Sequence, residues 1–264
     1  MNVYLRELRA NRRSLILWCL GIALLILASM GKYAGMAEAG QSINQFVTEL
    51  PDTVKAAMGL GGLDLSDARS FFVVVFGLVS LLAAVHAAML GAVIISKEER
   101  DRTSEFLFVK PRTRAAIVTA KLLAALTIVV ILNLFVFAVS AGIVGYYSDM
   151  PYMGGLARMM LALLLIQLVF LSLGAASAAA LGRGKASAGL AAGILLFAYL
   201  LSGAIEINPD LQALTFLTPF RYFPAGDMML TGEFNAGYAA LSAALAAALT
   251  AAAYVLFRRR DLRI

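Results

Sequence analysis

The sequence predicts an all-α integral membrane protein with six transmembrane helices. Three observations carry this. Of the 264 residues, 61% are hydrophobic and only 14% charged, whereas a soluble domain has roughly 45–50% apolar and about 25% charged residues. The mean hydropathy is +0.85. The apolar residues also fall into runs of the length, roughly 20 residues, that an α-helix needs to cross a bilayer. A soluble enzyme and a disordered chain are both excluded.

The predicted spans are 15–34, 71–95, 117–146, 156–181, 188–206 and 237–257, within one domain covering 1–264. Ahead of the first, Met1, Tyr4, Leu5 and Leu8 share one helical face, with Arg6, Arg9, Arg12 and Arg13 mostly off it. Residues 1–14 therefore read as an interfacial amphipathic helix on the cytoplasmic surface. No small-residue cleavage site follows the first run, so it reads as a permanent anchor. The loop after it places Ile43, Phe46, Val47, Leu50, Val54 and Met58 at helical spacing, with Pro51 set to kink the segment. Between the fifth and sixth spans, Leu211, Leu214, Phe216, Leu217, Phe220 and Phe223 are too apolar for a free loop, and Pro209, Pro219 and Pro224 interrupt them. Short re-entrant or interfacial helices shielded by protein are expected there. The fifth span carries Gly189 and Gly193 at GxxxG spacing, with Gly203 on the same face. Small residues in this pattern serve either internal helix packing or a dimer seam.

Charge orients the spans. Four Lys or Arg precede the first span, six separate the second from the third, two separate the fourth from the fifth, and four follow the sixth. With Lys121, 17 of the 22 basic residues lie on the side of the termini. The others are Lys32, Lys55, Arg69, Arg158 and Arg221. The positive-inside rule then places both termini in the cytoplasm of a plasma membrane. The net charge of +6 is accounted for by these clusters and does not indicate nucleic acid.

Several chemistries are excluded. An ion-coupled secondary transporter needs ionisable groups near the bilayer midplane, but none of the 16 acidic residues falls in the middle of a span. His86 is the single histidine and Cys19 the single cysteine, which leaves no metal-ligand set and no intrachain disulfide. Glu98 and Glu99 are similar to the paired glutamates of prenyl-type membrane proteases, yet Thr103 stands where that pattern needs Arg. The string Gly182-Arg183-Gly184-Lys185-Ala186-Ser187 lacks the first Gly and the adjacent hydroxyl of a phosphate-binding loop. The chain is thus expected to bind no cofactor and to catalyse no reaction. His86 continues the stripe Phe72, Phe76, Val79, Ala83 on one face of the second span. It reads either as a neutral, hydrogen-bonded imidazole inside the bundle or as a group lining a path.

The segment 97–114 resembles the first cytoplasmic loop of ABC-2 type transporter permeases. Glu98, Arg100, Thr103, Glu105, Phe106, Leu107, Pro111 and Arg114 occupy matching positions, while Arg102 replaces the usual Gly and Thr113 the usual Ser. The amphipathic N-terminus, Leu50-Pro51 through Met58-Gly59, the string Thr218-Pro219-Phe220-Arg221-Tyr222 and the terminal Arg259-Arg260-Asp261-Leu262 are similar to that family as well. The resemblance implies an exporter subunit, bacterial in origin, that pairs with a second permease copy or a paralogue. It also implies two copies of a separate ABC ATPase, which would carry ATP and Mg. A coupling helix in the loop would bring Glu98, Glu99, Arg100, Thr103, Glu105, Phe106, Leu107, Pro111 and Arg114 to that ATPase. Independently of the family, Phe106 and Leu107 in a charged loop need burial, in headgroups or in a partner, worth roughly 1.5–3 kcal/mol for each side chain fully buried.

An apolar substrate path is expected between the second and fifth spans, lined by Phe72, Phe76, Val79, Ala83, His86, Gly193, Leu196 and Leu200. Such a lining suits a drug, lipid or amphipathic peptide. The alternatives are a non-transporting scaffold or immunity protein and, less favoured, an ion-coupled secondary transporter. Cysteine-accessibility labelling tests the topology: positions 64 and 233 should label from outside intact cells, and 97 and 260 only after permeabilisation. Labelling of 97 from outside contradicts it.

Overall fold

The computed structural model describes residues 3–38, 51, 63–100, 113–182 and 184–259. Six long helices follow in order: α1 (Val3–Glu38), α2 (Ala68–Arg100), α3 (Arg114–Tyr147), α4 (Met153–Leu181), α5 (Gly184–Ile207) and α6 (Ala236–Arg259). All six are long and apolar enough to cross a membrane. Among the described residues there is no strand, as expected where every backbone polar group must be satisfied without water.

The expected surface helix at 1–14 and the first span form one continuous helix, α1. No Pro or Gly stands between Val3 and Leu20 to break it. Its first turns nevertheless lean. The Tyr4 hydroxyl meets Thr127 Oγ1 at 3.0 Å, and the Tyr33 ring meets the Tyr147 ring at 5.9 Å. Residues 4 to 33 make about 44 Å of helix, whereas residues 127 to 147 make about 30 Å. The N-terminal turns of α1 must therefore cross α3 obliquely.

Helix α4 is the hub, packing against α2, α3, α5 and α6. Its second half, Gly174-Ala175-Ala176-Ser177-Ala178-Ala179, is buried small residues, which let neighbouring backbones approach. The approach is closest to α2, where a Cβ on Gly174 would lie 2.1 Å from the Ala88 carbonyl oxygen. A Cβ on Gly91 would lie 2.1 Å from the Leu171 carbonyl oxygen. The two glycines thus admit each other's helix. Above this contact, one core cluster gathers Ile22, Ile26, Phe72, Leu156 and Tyr222. Toward the termini a second gathers Ile94, Val118, Ala178 and Phe257.

Polar bonds add register. Asn133 Nδ2 on α3 donates to Gln167 Oε1 (3.2 Å) and to the Met160 carbonyl (3.1 Å) on α4. Lys121 Nζ, buried, donates to the Ile94 carbonyl at 2.6 Å, tying α3 to α2. Between α5 and α6 the expected short helices are two 3-10 segments, Pro209–Leu217 and Pro219–Arg221, and a π-helical turn, Asp227–Thr231. They cap the end away from the termini. Thr218 Oγ1 donates to the Ala198 carbonyl (2.7 Å) and Arg158 Nε to the Met228 carbonyl (3.2 Å).

The glycines of α5 behave differently from Gly91 of α2 and Gly174 of α4. A Cβ at Gly189, Gly193 or Gly203 would meet nothing within 4 Å, so among the described residues they pack no helix. Gly193→Ala should therefore keep or raise the melting temperature of the detergent-solubilised monomer, since Ala is favoured over helical Gly by about 0.5–1 kcal/mol. A clear drop in the monomer would show that α5 packs through this face.

Candidate functional site

Two ends and one face of the bundle concern function. At the end nearest the termini, α2 and α3 bracket the loop that resembles a coupling region. Thr103, Glu105, Phe106, Leu107 and Pro111 lie outside the described residues. Glu98, Glu99 and Arg100 form the last turn of α2, and Arg114 opens α3; their side chains are likewise outside the described set. The base of the loop is described. Thr113 caps α3, its Oγ1 accepting from the Ala116 N–H at 3.2 Å. At the same level Glu7, fully buried on α1, is paired to Arg6 Nη2 (2.9 Å) and lies 3.6 Å from Lys97 Nζ on α2. Glu7 Oε2 makes no hydrogen bond among the described residues, so Lys97 supplies only a charge for it. This pair joins the leaning N-terminus of α1 to the residue from which the loop departs.

The α2 stripe is inside the chain. Phe72, Phe76, Val79 and Ala83 are buried in the upper core, which also holds Ile22, Ile26 and Met30 of α1. His86 is 3% exposed; its ring sits 5.3 Å from that of Trp18, and Nδ1 has no hydrogen-bond partner among the described residues. The ring thus stands inside the bundle with an aromatic neighbour on α1. In contrast, Gly193, Leu196 and Leu200 lie on the open face of α5 with Phe197. The structure thus separates the expected lining residues into a packed set and an uncovered set.

The opposite end holds a cavity of about 390 Å³ between the capping segments and the start of α6. Tyr222 stacks on Tyr238 (4.8 Å between centroids, 9° between planes) and Phe223 on Phe234 (5.2 Å, 14°). Arg221, which pairs with Glu206 of α5, lines it with Asp227 and Glu233. Burial lowers the Arg221 pKa from its usual value, and the nearby Asp227 carboxylate opposes the shift. Gly232 closes the π-helical turn at φ +82° beside the Arg158 guanidinium, a backbone conformation that suits glycine. Sequence reasoning missed this cavity, although Phe223 and Pro224, which line it, stood in the proline-interrupted apolar stretch.

Gly182 ends α4 in the left-handed conformation, φ +67°, with its N–H bonded to the Ala178 carbonyl. Among the described residues no group of three or more His, Cys, Asp or Glu could hold a metal.

The family model of the ABC-2 family transporter protein matches residues 1–262. The chain belongs to the ABC-2 transporter family. It is accordingly a multi-pass membrane permease of an ABC transporter, and the family is a membrane component of transport that is not itself catalytic. A search of curated proteins returned no match.

The Glu7–Lys97 pair yields a stability prediction. Lys97→Leu leaves Arg6 as the neighbouring charge on the buried Glu7 carboxylate and removes the one beside Oε2, and should destabilise the protein by about 1–3 kcal/mol. The double variant Glu7→Leu with Lys97→Leu should recover most of that loss in thermal melts. Simple additivity of the two single variants would contradict the coupling.

Proposed function

We propose that this ABC-2 permease is the membrane half of an ATP-driven exporter, moving a lipophilic or amphipathic substrate away from the side of its termini. The observation that carries the reading is the family match over residues 1–262 on a chain that has no phosphate-binding loop of its own. Hydrolysis then belongs to separate ABC ATPase chains, two per transporter, which would hold ATP and Mg. The basic residues crowded at the terminal end support a cytoplasmic placement of both termini in a bacterial plasma membrane.

The open face of α5 supports assembly with a second permease copy or a paralogue. Small residues flanked by Leu196, Phe197 and Leu200 suit close approach of a helix from another chain, with a path between the copies. Gly193, Leu196 and Leu200 would line that path directly. Phe72, Phe76, Val79, Ala83 and His86 stand behind α1 and would reach it only if α1 shifts. The loop bearing Glu98, Glu99, Arg100, Thr103, Glu105, Phe106, Leu107, Pro111 and Arg114 would dock the ATPase. Phe106 would supply the buried contact, and Glu105 would add orientation more than affinity.

The test uses the permease co-expressed with its ATPase. Phe106→Ala should weaken ATPase retention on purification, and Glu105→Ala should keep hydrolysis while reducing transport per ATP. Membrane insertion should persist in both. If both variants keep full ATPase binding and transport, the loop merely dips into headgroups and the docking role is wrong. A scaffold would show no ATPase partner at all.

A further inference from the structure

Helices α3 and α6 both rest on α4, and between them a groove of about 310 Å³ opens sideways toward the bilayer. Its walls include Leu123 and Leu126 of α3, Leu171 of α4 and Ala247 of α6. Leu123 and Leu126 are exposed side chains on a membrane-spanning helix, so hydrocarbon is the medium they face. The one hydroxyl on the α4 side, Ser172 Oγ, is already committed to the Leu168 and Val169 carbonyls at 2.8 and 2.9 Å. Apart from Thr250 on the α6 wall, the groove between Ser172 and its polar end is lined by aliphatic side chains, which offer an aliphatic occupant contact.

The groove has a polar end. Thr119 and Tyr254 join their hydroxyls at 2.7 Å across it, and Thr119 Oγ1 also donates to the Ala115 carbonyl at 2.9 Å. The Tyr254 proton is thus directed to Thr119, and neither hydroxyl has a proton left for a ligand. One helical turn beyond, Arg258 continues the stripe Thr250–Tyr254 at i+4 spacing, and it is exposed, as is Arg259. From Tyr254 back to Ala246 the groove runs about 12 Å along α6, close to the ~15 Å of hydrocarbon in one leaflet.

We propose that this groove is a binding site for an anionic phospholipid of the leaflet nearest the chain termini. One acyl chain lies between α3 and α6 on the α4 floor, and the phosphate is held by Arg258, with Arg259 adding charge. The length of the groove is close to one leaflet, its lining is mostly aliphatic, and Arg258 continues its α6 wall one turn beyond the polar end, at the level a headgroup would occupy. Basic sites between transmembrane helices hold acidic headgroups on the same physical grounds. The site does not depend on the direction of transport or on any ATPase.

Native mass spectrometry of the full-length chain, purified in mixed micelles of phosphatidylglycerol and phosphatidylcholine with matched acyl chains, tests the proposal. The wild type should retain phosphatidylglycerol in preference to phosphatidylcholine. Arg258→Ala should reduce that preference about fivefold, the effect of one surface cation, while phosphatidylcholine is still retained. Ala247→Phe should strip both lipids by filling the groove, and Ala247→Leu should give an intermediate loss with an unchanged melting temperature, which separates plugging from misfolding. An unchanged preference in Arg258→Ala, or full retention in both Ala247 variants, overturns the site. So does efficient disulfide formation between two copies at Ala247→Cys in native membranes, because a second chain would then cover the groove.

Discussion

Two backbones in this bundle lie almost in contact, and the rest of the architecture follows from them. Gly91 of α2 faces the Leu171 carbonyl of α4, and Gly174 of α4 faces the Ala88 carbonyl of α2, each with no room for a methyl group. In a bilayer, helices gain little from hiding apolar surface, because lipid tails are as apolar as leucine. Association rests instead on close van der Waals contact and on polar bonds between helices. The seam gives α2 and α4 such a contact. With α2 fixed, the buried stripe from Phe72 to His86 forms a wall for α1 to cover. With α4 fixed, its alanine-rich half offers α6 a second close approach.

Around this rigid pair the remaining helices are held by less. Helix α1 leans over α3 through Tyr4 and meets α2 through the Glu7–Lys97 pair. Helix α5 is tied at the end away from the termini by Thr218 on the Ala198 carbonyl and by Arg221 on Glu206, and its face bearing Leu196, Phe197 and Leu200 is uncovered. A transporter needs one part of the fold to stay put while another moves. The α2–α4 seam suits the first role, while α1 and α5, each packed into the core along one face and exposed along the other, suit the second. The charge pair at Glu7 lies where movement of the loop after α2 would reach α1.

The six spans and the family were legible in the sequence because both depend on long runs and ordered strings that survive without knowledge of contacts. Hydropathy located each helix, and the charged segment after α2 carried the resemblance. The particular contacts were not legible. Gly189 and Gly193 have the spacing associated with helix packing, yet the seam uses Gly91 and Gly174, which belong to different helices and share no local pattern. Glu7 reads as one more charge in a basic N-terminus, since only the lean of α1 brings it beside Lys97. The amphipathic segment and the first span share one helix, α1, because the change of chemistry near Leu15 does not interrupt helical hydrogen bonding. The cavity at the end away from the termini has no signature in the sequence, because 3-10 and π-helical turns have no hydrophobic period of their own.

The central claim is that the α2–α4 seam organises the fold, and a graded series at its glycines tests it most directly. Thermal unfolding in lipid nanodiscs would be followed for Gly174→Ala and Gly91→Ala, with Gly77→Ala as a control at a glycine of α2 where a Cβ meets nothing within 4 Å. Each seam variant should cost about 1–3 kcal/mol, as expected when a methyl group is forced into a packed site, and the pair together should cost less than the sum because the first methyl already parts the helices. The control should be neutral or stabilising. Seam variants as stable as the control would show that α2 and α4 do not need this contact, and the account would fail at its foundation.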